Sequence, residues 1–532
     1  MPEKATAKSR NPRPRRAAPR ADIPPEAPPP ETANAPRLYY LNPLLLGPLG
    51  APAWGARLGQ IHAMGFTGVL LAWPFRGTAG DPLCAYDLDH LHPALGDTLA
   101  TEAGLQRIAS ACAQHGLACL LDLVIDRAAA GGALAAALPT CWQPASAPWL
   151  DPREIARFGT LRADLGTAAA RAQFLEFWHA RLLNWKASGI TGVRCHAAEA
   201  VPLDLWAEVL APFRADGGFT LGWLAGRPRG ELIAAAGVFG WLASSVAWWD
   251  GCAAWLAEEY RALRPHGHLL GCPEDPFGPR RAPGTLAAHR LALHAASTLA
   301  DGWLLPMGFE YGASTPFLAA EDDAEAFAAL AAAPPFDLSD EITAANARLA
   351  ALPPATMLRQ HSSPSDPVTV IQRKAADGPG TLVVLNTDLA QPAPAPVRSI
   401  AARLGAVPEA DPPELPPGGG AVAHLSAADP VRAAAPPVPR AAPRIVIEAV
   451  APAVEHGRFP VKACVGDRIT VSADIFADGH EVLSAELRWR PVDSEAWCTA
   501  PMREGMNDRW QASFTPIRPG RHVFAIEAWW DH

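Results

Sequence analysis

The sequence predicts an α/β chain: a (β/α)8 barrel followed by a small β-domain and a C-terminal immunoglobulin-like β-sandwich. Three observations lead there. Short aliphatic runs alternate with longer Ala-rich amphipathic segments from residue 38 to about 350; strands then follow one another without helices; and the last ninety or so residues read as strands separated by turns.

The barrel strands are taken in order. Tyr39-Tyr40-Leu41 is the first, followed by a helix at Trp54–Met64, and Gly68–Trp73 is a continuous apolar run of the kind buried on both faces. A helix at Leu105–Gln114 leads to a third strand at Leu117–Val124. In the segment Ala168–Ser188, Phe174, Phe177, Trp178, Leu182 and Leu183 recur at helical spacing, and the extended fourth strand Gly192–Cys195 comes next. The remaining strands are Phe219–Leu224, Phe239–Ala243, His268–Cys272 and Trp303–Phe309, with helices at Leu203–Phe213, Ala253–Leu263 and Leu286–Ala300 between them. A doubly wound sheet is the alternative, but no strand is followed by a Gly-rich phosphate fingerprint.

After a helix at Ile342–Leu352 the pattern changes, and Val368–Gln372 and Gly380–Asn386 are strands of the small β-domain. The expected division is a basic, Pro-rich disordered tail at 1–36, the barrel at 37–355, the β-domain at 356–432, a Pro/Ala-rich linker at 433–443 and the sandwich at 444–532. In the sandwich, Ile445–Ile447, Ile469–Val471, Ala485–Trp489, Gln511–Phe514 and Val523–Trp529 have strand spacing, with turn signals at Asp478-Gly479 and Pro519-Gly520.

Composition narrows the function. The 532 residues carry 45 Lys and Arg against 54 Asp and Glu, a net charge of −9. That balance does not suit sequence-independent nucleic-acid binding, which neutralises phosphates. Hydrophobic content of 49% supplies a large core. The 9 cysteines are scattered with no Cys-x-x-Cys, which implies reduced, mostly buried thiols in a cytoplasmic protein. Lys4, Lys8, Arg10, Arg13, Arg15, Arg16 and Arg20 form a basic leader with no apolar stretch behind it, so a secretory signal is not expected; a transit peptide or a disordered tail fits. Leu232 to Trp249 lacks charges, but its glycines and serines fit a helix, a turn and a buried strand better than a membrane span.

Reactive groups in such a barrel sit at the C-terminal ends of the strands. Those ends offer Asp122 and Asp126-Arg127 after the third strand, and Arg194, Cys195, His196 and Glu199 after the fourth. Gly222 and Trp223 follow the fifth, Glu274-Asp275 the seventh, and Glu310 and Tyr311 the eighth. Sugar chemistry by retention there needs a nucleophilic carboxylate and a carboxylic acid about 5 Å apart. His196 has no second His at metal-ligand spacing, so neither a metal nor another cofactor is expected.

Several of these segments resemble one family. Ala85-Tyr86-Asp87-Leu88-Asp89-His90-Leu91-His92-Pro93-Ala94-Leu95-Gly96 is similar to the early barrel motif of the α-amylase superfamily, glycoside hydrolase family 13, and within it the bacterial maltose-1-phosphate maltosyltransferases, which lengthen α-1,4-glucans, are the nearest likeness. Asp122-Leu123-Val124-Ile125-Asp126-Arg127 resembles Asp-x-x-x-Asn-His, and Gly192-Val193-Arg194-Cys195-His196 resembles Gly-Phe-Arg-x-Asp with His196 at the nucleophile's place. Leu221-Gly222-Trp223-Leu224-Ala225-Gly226-Arg227-Pro228 resembles Ala-Glu-x-x-x-Arg-Pro, with Trp223, or Gly222 in the alternative register, at the acid/base position. Cys272-Pro273-Glu274-Asp275 keeps only the final Asp of Asn-His-Asp.

The C-terminal segments Arg444–Glu448, Gly457–Pro460, Ala473–His480, Leu487–Pro491 and Asn507–Trp510 are similar to the N-terminal β-domain of the maltosyltransferases, which in that family precedes the catalytic barrel and helps form a homodimer.

The resemblance implies an amylase-type barrel serving α-glucan metabolism in which neither the nucleophile nor the acid/base carboxylate is intact: the positions concerned are Asp122, Arg194, His196, Trp223 and Asp275. A cationic or neutral imidazole stands where a glycosyl cation needs an anion, and an indole has no usable proton for a leaving oxygen. Asp122, Arg194, Asp275 and Trp223 remain candidates for holding an α-glucan or maltose 1-phosphate; the alternative for Asp122 and Arg194 is a buried supporting pair, and for Asp275 a loop or capping carboxylate. Trp142, Trp248 and Trp249 could stack on sugars or pack in the core.

Three functions stay open. The first is a non-catalytic glucan-binding and assembly module, in which this chain is the front of a longer fused maltosyltransferase or the product of an interrupted gene. The second is an active glucan transferase or hydrolase, through a continuation of the chain or a site rearranged from Glu199, Asp275 and Glu310. The third is a purely structural dimerisation element. No nucleic-acid or membrane partner is expected.

Overall fold

The computed structural model describes residues 35–78, 81–96, 99–144, 160–276, 280, 284–317, 323–429 and 443–531. The expected tail at 1–36 lies outside these residues except for its last two, and so does nearly all of the expected linker. The chain divides into two compact units, Met1–Pro430 and Val431–His532.

In the first unit eight parallel strands close into a barrel: β1 (Arg37–Leu41), β2 (Gly68–Leu71), β3 (Ala118–Leu123), β4 (Gly192–Cys195), β5 (Phe219–Gly222), β6 (Trp241–Ala243), β7 (His268–Gly271) and β8 (Gly302–Pro306). Each pairs with its sequence neighbour and β8 closes on β1, with Leu38 opposite Gly68 on one side and Leu304 on the other. Alternation sorts the side chains into two cores. Leu38, Tyr40, Leu70, Leu120, Leu221, Trp241, Leu270 and Leu304 fill the interior, while Tyr39, Leu41, Val69, Leu121, Val193, Leu269, Trp303 and Leu305 face the surrounding helices.

The principal helices around the barrel are α1 (Pro52–Ala63), α2 (Thr101–Gln114), α3 (Ala168–Ala187), α4 (Leu203–Val209), α5 (Arg229–Ala236), α6 (Trp255–Leu263), α7 (Leu286–Thr298) and α8 (Ser339–Ala351). Leu232 to Trp249 divides into the end of α5, a turn and β6, and among the described residues no helix is long and apolar enough to cross a membrane. The close approach of α7 to the barrel needs Gly271, where a Cβ would meet the Ala296 carbonyl oxygen at 2.3 Å.

Three local departures from the sequence expectations matter. The expected strand Trp303–Phe309 stops at Pro306, because Gly308 adopts φ 87° and turns the chain into a 3-10 segment, Phe309–Tyr311. The helix expected over Leu203–Phe213 is two pieces, since Pro212 cannot supply the backbone donor a continuous helix needs there. Between β3 and α3 the chain inserts a three-stranded antiparallel sheet of Arg127–Ala129, Trp142–Pro144 and Thr160–Ala163, which the sequence pattern did not suggest.

A five-stranded antiparallel sheet completes this unit: β9 (Met357–Gln360), β10 (Val368–Lys374), β11 (Thr381–Asn386), β12 (Ala406–Pro408) and β13 (Gly420–Ala427), in the order β9-β10-β11-β13-β12. One face, with Ile371, Val383 and Leu385, joins the outer barrel core. The other, with Val370, Leu382 and Val384, forms its own core with a short helix at Val397–Arg403.

The second unit is a sandwich. One sheet orders β14 (Ile445–Ala451), β15 (Ile469–Ala477), β19 (Arg509–Phe514) and β18 (Arg503–Glu504). The other orders β17 (Cys498–Pro501), β16 (Leu483–Pro491) and β20 (His522–Trp530). Val471, Ala473, Ile475, Ala485, Leu487, Trp510 and Phe514 fill the space between them.

Candidate active site

The strand ends converge on a barrel mouth whose interior is occupied by charge already paired. Asp122, on β3, and Arg194, on β4, are both inward-facing and 0% exposed. Neighbouring strands in register bring them level, Asp122 opposite Arg194. Arg194 donates from Nε to Asp122 Oδ1 at 2.6 Å and from Nη2 to Oδ2 at 2.7 Å, a bidentate pair. The hydroxyl of Tyr40, from β1, donates to Asp122 Oδ2 at 2.9 Å. Burial disfavours the guanidinium, but Asp122 and Tyr40 outweigh it and hold the Arg194 pKa above its usual value.

Two aromatic rings complete this core. The guanidinium carbon of Arg194 lies 4.4 Å from the Tyr40 ring centroid and 5.2 Å from that of Trp223. Trp223, just past β5, therefore stacks on a cation and packs with the barrel-interior residues.

His196 follows β4, its backbone N–H donating to the Leu123 carbonyl at 3.0 Å. The chain then bends sharply at Ala197, whose φ of 45° is unusual for a residue with a side chain. Burial, then the charges of Arg127, Arg194 and Arg162, push the imidazole pKa down to about 3. The ring is thus neutral at ordinary pH. Its arginine neighbours come partly from the inserted sheet, where Arg127 pairs with Arg162 across two strands. Asp126, 2% exposed, accepts from Arg162 Nη1 and from Arg127 Nε at 3.1 Å, and Arg127 also donates to Asp81 at 3.0 Å.

The remaining acids are dispersed. Glu274, 3% exposed, pairs with the buried Arg280 at 3.0 Å, and Arg280 donates to the Met307 carbonyl at 2.8 Å. Asp275 is half-buried, and its charge reaches the buried thiol of Cys272, which burial pushes upward. Glu199 is exposed. Glu310 is not part of the mouth, contrary to what its place after β8 suggested. The turn at Gly308 carries it outside the barrel, where it is 0% exposed, accepts from the Tyr39 hydroxyl at 2.6 Å and lies 3.4 Å from Arg57. Glu310 therefore takes no part in a pair drawn from Glu199, Asp275 and Glu310.

Among the other tryptophans, Trp249 is buried and donates to the Ala253 carbonyl at 2.7 Å, Trp142 is half-buried against Phe174, and Trp248 is 51% exposed. Among the described residues no three His, Cys, Asp or Glu side chains converge as a metal site. All nine cysteines are free thiols, six of them buried.

A closed parallel barrel carrying a sheet inserted after its third strand and a β-domain behind it has the fold of the α-amylases. Cyclic α-maltosyl-(1→6)-maltose hydrolase from Arthrobacter globiformis shares it with a TM-score of 0.55 at 16% identity, over 74% of this chain and 98% of that one. The α-amylase from Geobacillus thermoleovorans does so with a TM-score of 0.56 at 13% identity, over the same shares.

Sequence similarity narrows the class. Residues 443–532 match the family described as α-1,4-glucan:maltose-1-phosphate maltosyltransferase, domain N/S. The chain is 34% identical over 555 aligned residues to the α-1,4-glucan:maltose-1-phosphate maltosyltransferase of Burkholderia pseudomallei (strain K96243), which covers 93% of this chain and 48% of that protein. To the maltosyltransferase of Chlorobaculum tepidum it is 47% identical over 89 residues, 17% of this chain and 13% of that protein. The chain has the fold of the α-amylases and is similar in sequence to the maltose-1-phosphate maltosyltransferases. It spans about half the length of the Burkholderia protein.

Proposed function

We propose that this chain is a non-catalytic, glucan-binding and assembly module of an α-glucan maltosyltransferase system: an amylase-type barrel without a working site, joined to a domain N/S sandwich. The observation that carries this reading is the charge at the mouth. An emerging glycosyl cation needs an anion beside it and a proton donor for the leaving oxygen. At the corresponding positions stand a neutral His196 among three arginines and an indole, Trp223, already stacked on Arg194. The buried carboxylate of Asp122 is committed to Arg194 and Tyr40. Losing both carboxyl groups removes most of a catalytic effect worth at least about 8 kcal/mol.

The free, largely buried thiols support a reducing, cytoplasmic setting, and assembly as a homodimer through the sandwich is part of this reading. A second reading is favoured by one observation: 34% identity extends over 93% of this chain but 48% of the Burkholderia protein. In it the barrel accompanies a working maltosyltransferase site carried elsewhere in a longer polypeptide.

The test is phosphate release from maltose 1-phosphate, with glycogen as acceptor, by the purified 532-residue protein. The first reading expects no release above background together with retarded migration in a glycogen-containing native gel. Turnover that disappears on replacing His196 or Trp223 would overturn it. An intact mass from the native host near twice 56.2 kDa would establish the second reading.

A further inference from the structure

Besides the mouth, the barrel carries a concave groove of about 460 Å³ on its outside, between α3, the loop after β2, the first turn of α2 and a short helix at Ala133–Ala137. We propose that this groove binds a neutral α-linked glucosyl chain. The proposal rests on the glucan-binding reading above and gives it a place away from the mouth.

The argument begins with the helix. α3 buries Ala170, Phe174, Trp178, Leu182 and Trp185, and an adjoining face carries Gln173, Glu176, Phe177, Ala180 and Arg181 at three- and four-residue spacing. Arg181 is the floor. Its Nη1 donates to the Leu88 carbonyl at 3.0 Å and its Nη2 to Asp89 at 2.6 Å, with Glu102 at 3.8 Å. The guanidinium also lies 5.3 Å from the Phe177 ring centroid. Its charge is therefore offset and its geometry fixed, which leaves no net attraction for a phosphate or other anion.

Around this floor stand Gln173, Glu176 and Phe177. Thr140 donates to Gln173 Oε1 at 2.7 Å and so orients that amide. Planar amide and carboxylate groups bridge vicinal hydroxyls through paired hydrogen bonds, and an aromatic ring packs against the C–H surface of a pyranose. The cavity falls within the range of about 300–1,000 Å³ usual for small-molecule sites, and Gln173 and Arg181 are held before any ligand arrives. The carboxylates do not converge as a metal site. The chemistry is that of a polyol receptor.

The experiment is affinity electrophoresis of the full chain in gels containing glycogen, with maltoheptaose as soluble competitor, comparing wild type with the surface variant Q173A/E176A and with Phe177→Ala. Both variants are expected to weaken retardation about tenfold, the loss of one charge-assisted hydrogen bond or its equivalent, while thermal unfolding of Q173A/E176A stays at the wild-type temperature. Added salt should leave wild-type retardation unchanged, since the ligand is neutral. Wild-type retardation that Q173A/E176A retains in full overturns the groove and leaves the glucan-binding reading standing. Absence of retardation in the wild type overturns both, and retardation abolished by salt alone overturns the polyol assignment in favour of a charged ligand.

Discussion

Replacing Asp122 by Ala tests the pairing at the centre of the barrel. The carboxylate accepts from Arg194 Nε at 2.6 Å, from Arg194 Nη2 at 2.7 Å and from the Tyr40 hydroxyl at 2.9 Å, with neither Asp122 nor Arg194 exposed. Its removal leaves a guanidinium in the barrel interior with two aromatic rings and no counter-charge from Asp122. Breaking one side of a buried pair costs about 3–5 kcal/mol, most of it the desolvation of the surviving charge. Removing both charges by Asp122→Ala with Arg194→Met leaves no buried charge from this pair, a Tyr40 hydroxyl that has lost its Asp122 acceptor and a modest packing defect, and should recover at least about 2 kcal/mol of that loss. The assay is urea denaturation followed by the far-ultraviolet helical signal. Every described element of the second unit is a strand, so this signal follows the barrel unit. A single variant within about 1 kcal/mol of wild type, or a double variant whose loss is the sum of the two single ones, would refute the reasoning.

Other expectations follow from the same geometry. Trp223→Ala removes the stack on Arg194 and should lower barrel stability by about 2 kcal/mol, read from the same urea transition, whereas Trp223→Phe should recover part of it. His196 and His294 each have a pKa lowered to about 3, by burial first and then by neighbouring arginines. Since the folded pKa lies below the unfolded value near 6.5, the unfolded chain binds more protons between these limits. Stability is then full above pH 6.5 and falls toward pH 3, by up to about 1.4 kcal/mol per pH unit for each ring. His294→Gln should make the urea midpoint less dependent on pH in that window. Gly271→Ala places a methyl group against the Ala296 carbonyl oxygen at 2.3 Å and should cost about 1–3 kcal/mol by forcing α7 away from β7, measured as a lowered melting temperature.

The barrel was legible because its strands are buried on both faces. Gly68–Trp73 reads as an unbroken apolar run and Leu117–Val124 as one interrupted only by Asp122, and the helices between strands showed their own period. The inserted sheet was not legible. Its strands are three or four residues long, include Arg127 and Arg162, and are held by ion pairs to Asp126 rather than by an apolar pattern. Position in the chain located Asp122, Arg194, His196 and Trp223 at the strand ends, yet the stacking of Trp223 on Arg194 is a contact between residues on different strands that periodicity does not reveal. The neutral state of His196 was equally hidden, since two of the three charges that produce it arrive through the insertion. Glu310 was misplaced by one backbone event. A strand assumed to run to Phe309 ends at Pro306, and the left-handed turn at Gly308 sends the carboxylate to the opposite side of the sheet.

The indole at 223 also constrains what a single substitution can regain. A carboxyl group introduced there would stand beside the guanidinium it now covers, and a cation at such range favours the ionised form by one to three pKa units. The new group would hold its charge and surrender no proton at neutral pH. Moving Arg194 aside to free it would strand Asp122 in turn, so the route back to a proton donor passes through residues on three strands at once.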